Sequence, residues 1–241
     1  MIDVAGLRFI TDPAFDPPGE YEPHLPRKLE PPAIEPSGLG QVDVALVSHD
    51  QHRDNLDRAG RSFLADVPLV LTTVEGAGRL GGSARGLAAY QSIDIEAPGG
   101  GSVRITALPA QHGPEGAEAE SGPVVGFLLS GDGLPSIYVS GDNASVPVVR
   151  EIVERLGEVD LAVLFVGGAS VDRLFGGQPL TLTNERALEV ARVLGARAIV
   201  PVHHQGWSHY SQDSRSLAEA FAEAGMSDLL VVVPAGETVE L

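Results

Sequence analysis

Short apolar runs rich in Val, Ile and Leu recur along this chain, and almost every one is cut off by Gly, Pro or Asp before it is long enough to make a helix. That punctuation predicts strands over residues 7–11, 42–48, 69–73, 92–96, 103–108, 124–130, 137–140, 161–166, 199–202 and 229–233. Segments of helical period interleave with the later runs. "SVPVVREIVERLG" opens on a capping Ser145, carries Pro147 in its first turn and stops at Gly157; "TNERALEVARVLGA" stops at Gly195 and "SRSLAEAFAEAG" at Gly225. A first half dominated by strands and a second half that alternates helix with strand predicts two sheets sandwiched between helices, in preference to a bundle or an all-β sandwich.

Irregular chain is concentrated in two places. Residues 12–40 are proline-rich and aperiodic, and residues 112–123 read "HGPEGAEAESGP"; stretches of this kind either cover a site or stay disordered. His24 and Lys28 fall in the first and are expected on solvated surface. No repeat or composition shift divides the chain, so residues 1–241 are expected to form one domain. Against 33 Asp plus Glu stand 16 Lys plus Arg, and the net charge of −17 would repel a phosphate backbone, which argues against nucleic acid as a partner. No apolar run approaches the roughly 20 residues that span a bilayer, and the first residues lack a basic stretch leading into an apolar one. The expectation is a cytoplasmic protein without membrane contact, acting on a small molecule, with a homo-oligomer left open. There is no Cys, so any metal must be held by His, Asp or Glu.

Six of the seven histidines, His49, His52, His112, His203, His204 and His209, fall at or just beyond predicted strand ends. Strand ends of an open sheet converge on one edge, where sites in α/β proteins are built. The pieces meeting there are "VSHDQHRDN", "LPAQHGP", "YVSGDNA" and "VPVHHQGW". Neutral imidazole and carboxylate suit zinc, iron or manganese, and a catalytic ion needs about three or four such ligands and one open position. A lone strand-terminal His is more often a satisfied structural side chain; His or Asp at four strand ends favours a metal.

The ordered set "SHDQHRDNLD", "AQHGP", "YVSGD" and "VPVHHQGW", together with "RFITDP" at residues 8–13, resembles the metallo-β-lactamase superfamily, in particular its ascorbate-phosphate lactonase-like branch. The resemblance spans residues 7 to about 210. It implies an αββα four-layer sandwich of two mixed sheets with one or two divalent ions at the sheet edge, zinc first, manganese or iron as alternatives. Carried over residue by residue, it places His49, His52 and His112 around a first ion, Asp142 as a bridge, and Asp54 with His203 around a second. Asp50 stands in for His49 should the strand run one residue longer. The first motif has one residue more than the family pattern, and Asn55 stands where a third His is expected, which implies a weaker or differently filled second site. His203 is preferred to His204 because alternation lets only one face the site. Gly141 would let backbone approach the metal closely. In that branch a further strand precedes the segment resembling "GLRFITDP", so the first sheet is expected to be one strand short, or the chain to begin late.

What the resemblance implies is a metal-dependent hydrolase whose ion generates hydroxide at neutral pH, with Asp54 as the base and His204 or His209 as proton donors; both histidines are equally readable as bystanders. Trp207 is either a pocket wall or an ordinary aromatic. The substrate expected is a small ester, lactone or phosphoester. The alternatives are a metal- or ligand-binding protein without turnover, and a nucleotide-binding oxidoreductase suggested by "GAGRLG" at residues 76–81 with Asp94 beyond it. The added Gly82 and Gly86 make that stretch a poor helix start and a better glycine-rich turn at the site's rim, where Arg79 or Arg85 would contact an anionic group.

Overall fold

A computed structural model of the chain describes residues 1–21 and 26–241. His24 lies outside the described residues. Two sheets stack face to face. The first has strand order β1(Ile2–Val4), β2(Leu7–Thr11), β3(Val44–Leu46), β4(Leu69–Thr72), β5(Ala84–Gly86). The second follows the order β11(Ala198–Val202), β10(Leu161–Phe165), β9(Ile137–Val139), β8(Val125–Ser130), β7(Ser102–Pro109), β6(Ser92–Glu96). Both are mixed. β2, β3, β4 and β5 run parallel and β1 antiparallel; β9, β10 and β11 run parallel and β6 to β8 antiparallel.

Apolar residues of both inner faces, among them Phe9, Leu46 and Leu71 from the first sheet and Ile105, Phe127 and Val139 from the second, form one buried core between the sheets. The outer face of the second sheet buries Tyr138 and Leu164 against α4(Val146–Leu156), α5(Asn184–Leu194) and α6(Ser214–Glu223). The outer face of the first meets α1(Arg58–Leu64) through Ala45, Val70 and Leu64. Each helix begins where its sequence says it should: Ser145, Thr183 and Asp213 accept hydrogen bonds from backbone N–H groups of the first turn. Short α2(Val74–Leu80) and α3(Glu118–Ser121) complete the set. The layers are α, β, β, α, as expected. No described helix is long and apolar enough to cross a membrane.

Four readings of the sequence need correction. Residues 2–4 supply the short antiparallel partner of β2, so the first sheet gains its edge strand from the outset of the chain. Residues 229–233 do not form a strand: Ser227–Leu229 winds into a 3-10 turn and only Leu230 bridges to Ile199. "GAGRLG" is neither a turn nor a phosphate loop but the body of α2, capped by Thr73; a Cβ on Gly76 would lie 2.8 Å from Thr73 Oγ1, so close packing explains that glycine. Asp94 sits on β6 in the other sheet, paired with Arg104. Lys28, expected in solvent, is buried with its ammonium 3.1 Å from Asp57 and 2.8 Å from the Ala14 carbonyl. Its backbone bridges Gly19 and Trp207, fastening the proline-rich loop across one end of the sandwich.

Candidate metal centre

Every residue carried over as a ligand lies on a segment that follows a strand, and both sheets contribute. His49, His52 and Asp54 follow β3, His112 follows β7, Asp142 follows β9 and His203 follows β11. Ligand atoms of His49, His52, His112 and Asp142 all lie within 4.8 Å of one another, and so do those of Asp54, Asp142 and His203. The structure thus brings all six residues into two groups that share Asp142.

The first group is three imidazoles deep. His52 Nδ1 is 2.8 Å from His49 Nε2 and 3.1 Å from His112 Nε2. The outer nitrogens of two rings are already engaged: His112 Nδ1 lies 2.8 Å from the Leu180 carbonyl and His49 Nδ1 lies 3.1 Å from Ser48 Oγ. The Leu180 contact requires a proton on His112 Nδ1, so its Nε2 presents a lone pair inward. Burial, reinforced by the neighbouring imidazoles, holds His49 well below the usual histidine range, and burial also lowers His112. Ring nitrogens this close are held together by a shared proton or by a cation, and a divalent ion fits that donor set.

In the second group His203 Nε2 lies 3.2 Å from Asp54 Oδ2 and 3.5 Å from Asp142 Oδ1, yet both ring nitrogens of His203 are buried without a hydrogen bond. A nitrogen beside two carboxylates but not aligned on either suits an ion lying among all three. Burial alone would lower His203, but Asp142 and Asp54 outweigh it and push it up to about 9. Asp54, whose burial would raise it, is held well below the carboxylate range by His209 and His203. Asp12, half-buried with its carboxylate beside Asp142, is pushed up to about 8 by desolvation and that neighbouring charge; its Oδ1 accepts the Ser48 N–H at 2.7 Å and so fixes the start of the histidine-bearing loop. His203 and Asp12 both adopt left-handed backbone, φ 61° and 42°, conformations that cost about 1–3 kcal/mol and collect at functional sites. That turn, beyond the end of β11, and not strand alternation, is what aims His203.

Asn55 is fully buried and donates to Asp142 Oδ1 at 3.0 Å, so it holds the shared carboxylate instead of joining the second group. Asp50 turns away from the centre: Arg79 grips it through Nε at 3.0 Å and Arg61 lies 3.5 Å from it, which removes it as a substitute for His49. Arg79 is thereby committed to Asp50, and neither it nor Arg85 lines the cavity described next. Gly141, φ 56°, makes its close approach to the Ser48 Cβ and the Val125 carbonyl, each 2.8 Å from where a Cβ would stand, and these neighbours suffice to require it.

A cavity of about 420 Å³ opens over the first group, with His52, Asp54, His112, Trp207 and His209 among its walls. His209 Nε2 meets Asp54 Oδ2 at 2.9 Å. His204 is not among the lining residues of this cavity; its backbone packs at Gly167. The sequence reading passed over Tyr210, a phenol raised well above its usual value by burial and the Asp54 and Asp142 carboxylates, and it passed over the arginines of the cavity. The spacing of Arg53, Arg58 and Arg61 along the first motif and α1 was the available signal.

A family model described as the β-lactamase superfamily domain matches residues 7–204. The chain is similar to a metal-dependent hydrolase of Pelotomaculum thermopropionicum, 29% identical over 209 residues and covering 83% of each chain. It is also similar to N-acyl-phosphatidylethanolamine-hydrolyzing phospholipase D 1 of Caenorhabditis elegans, 26% identical over 87% of this chain and 61% of that one. Among solved structures, isothiocyanate hydrolase from Delia radicum gut bacteria superposes with a TM-score of 0.81 at 23% identity, covering 100% of this chain and 94% of that chain.

Proposed function

The chain belongs to the β-lactamase superfamily, and from that premise we propose that it is a metal-dependent hydrolase that cleaves a small ester, lactone or phosphoester. The observation that carries this reading is the convergence of His49, His52, His112 and Asp142 within 4.8 Å at the floor of a cavity. His49 Nε2, His52 Nδ1 and His112 Nε2 would hold a first ion, Asp142 would bridge, and Asp54 with His203 would hold a second. A divalent ion there lowers the pKa of a water from 15.7 to roughly 7 and polarises a carbonyl or phosphoryl oxygen.

The chain's own groups do the rest. Asp54, kept ionised by His203 and His209, receives the proton that the attacking water sheds. His209 touches the same carboxylate oxygen and lines the cavity. It returns a proton to the leaving oxygen as the bond between that oxygen and the acyl carbon or phosphorus breaks. His112, locked by Leu180, keeps its lone pair on the metal side, and Trp207 and Leu180 stand in the cavity wall. The names of the relatives support hydrolysis and do not choose among substrates.

Metal analysis of the purified protein should find at least half an equivalent of zinc, manganese or iron, and His112→Ala should abolish both the metal and turnover of a generic aryl ester. A folded wild-type protein that neither holds nor takes up metal overturns the reading.

A further inference from the structure

The cavity is basic in an acidic molecule. Four of the chain's 16 Lys and Arg residues, Arg53, Arg58, Arg61 and Arg173, line it. Its acids are already engaged: Asp50 by Arg79 and Arg61, Asp54 by His209 and His203, and Asp57 by Lys28 and the N–H groups of Asp16 and Gly60. Among the arginines, Arg61 is bound to Asp50, and Arg53 lies 3.8 Å from Asp16 and over the Tyr21 ring. Arg58 and Arg173 differ. They come from separate stretches, the first turn of α1 and the segment between β10 and α5, both are exposed, and neither side chain makes a hydrogen bond or ion pair among the described residues. Much of the remaining wall, including Leu56, Val171, Leu174 and Leu180, is apolar. About 420 Å³ is room for a small organic molecule and not for a polymer.

Building on the hydrolase reading, we propose that the substrate is a small organic anion: an apolar body against Leu174 and Leu180, an anionic oxygen group in the forks of Arg58 and Arg173, and the scissile bond over His52 and His112. A guanidinium fork matches a carboxylate or phosphate in both charge and plane. A net charge of −17 would by itself repel such a ligand, so arginines gathered at this one opening supply the attraction that the rest of the surface denies.

Binding is the test, because it is read without turnover. Calorimetric titration of the metal-loaded protein with 4-phenylbutyrate and with the neutral 4-phenylbutan-1-ol should show the acid bound at least about tenfold more tightly, with the gap narrowing as salt is raised. Arg58→Ala and Arg173→Ala should each cut that preference by about tenfold or remove it. Arg150→Ala, which breaks an exposed pair with Glu189, should preserve it. Arg58→Gln and Arg173→Gln serve in place of any alanine variant that fails to fold. Equal binding of acid and alcohol overturns the proposal, and so does a preference that survives the loss of both arginines, since the carboxylate then sits on the metal. A protein that prefers the acid through these arginines and hydrolyses no ester sustains this inference while defeating the hydrolase reading. Hydrolysis of neutral esters with no preference for the acid does the reverse.

Discussion

Asn55 shows how one amide can take up a different task at a position where imidazole was expected. Its Nδ2 reaches Asp142, the carboxylate common to both ligand groups, so its influence on metal binding is exerted through that neighbour. Asn55→Ala should weaken metal binding by roughly 10–100-fold, the usual cost of losing a group that orients a ligand, and competition with a chromophoric chelator will measure it; an unchanged affinity would refute the role. The six ligand candidates were legible because each is a His or Asp at the end of an apolar run, a pattern that survives in one dimension. What holds them was not. The Leu180 carbonyl that locks His112 comes from a residue 68 positions away, and no periodicity announces a backbone oxygen. Lys28 was misread for a similar reason: a charge in a proline-rich loop looks solvated until Asp57 is known to lie beneath it.

The elements divide by how strongly their ends are marked. α4 and α5 run between a hydroxyl cap and a glycine, and both ends are written in the sequence. α2 was missed because Gly76 and Gly78 lower helix propensity by about 1 kcal/mol each, while tertiary packing against β5 and the Thr73 cap overrides them. β1 and β5 are three residues each, too short for a periodic signal. The proline-rich loop is the element with the most to lose. Lys28→Met removes the partner of a buried carboxylate, and breaking such a pair costs about 3–5 kcal/mol; the urea midpoint should fall accordingly. Lys28→Met combined with Asp57→Asn should recover part of the loss, although Asp57 also caps α1. Full stability in the single variant would show that the loop is fastened by other means.

At the scale of the molecule, the metal-free protein should grow less stable as the solution becomes more alkaline. His203 is raised from 6.5 to about 9 in the folded state, so its contribution is complete below pH 6.5 and is lost as pH rises through 9. Asp12 is raised from 3.8 to about 8, and its contribution is likewise lost as pH climbs from about 4 to 8. Both act in one direction because the empty centre gathers carboxylates that only a proton or a cation relieves. Thermal unfolding in the presence of chelator should therefore show a falling midpoint between pH 6.5 and 9, and Asp12→Asn should flatten the slope; a midpoint that rises over that interval would contradict it. Neither ligand group belongs to a single sheet: His49, His52 and Asp54 hang from one, and His112, Asp142 and His203 from the other. Neither sheet alone consequently owns a complete chelate, and cation uptake during refolding should lag behind the closing of the sandwich, making occupancy a late checkpoint instead of a seed.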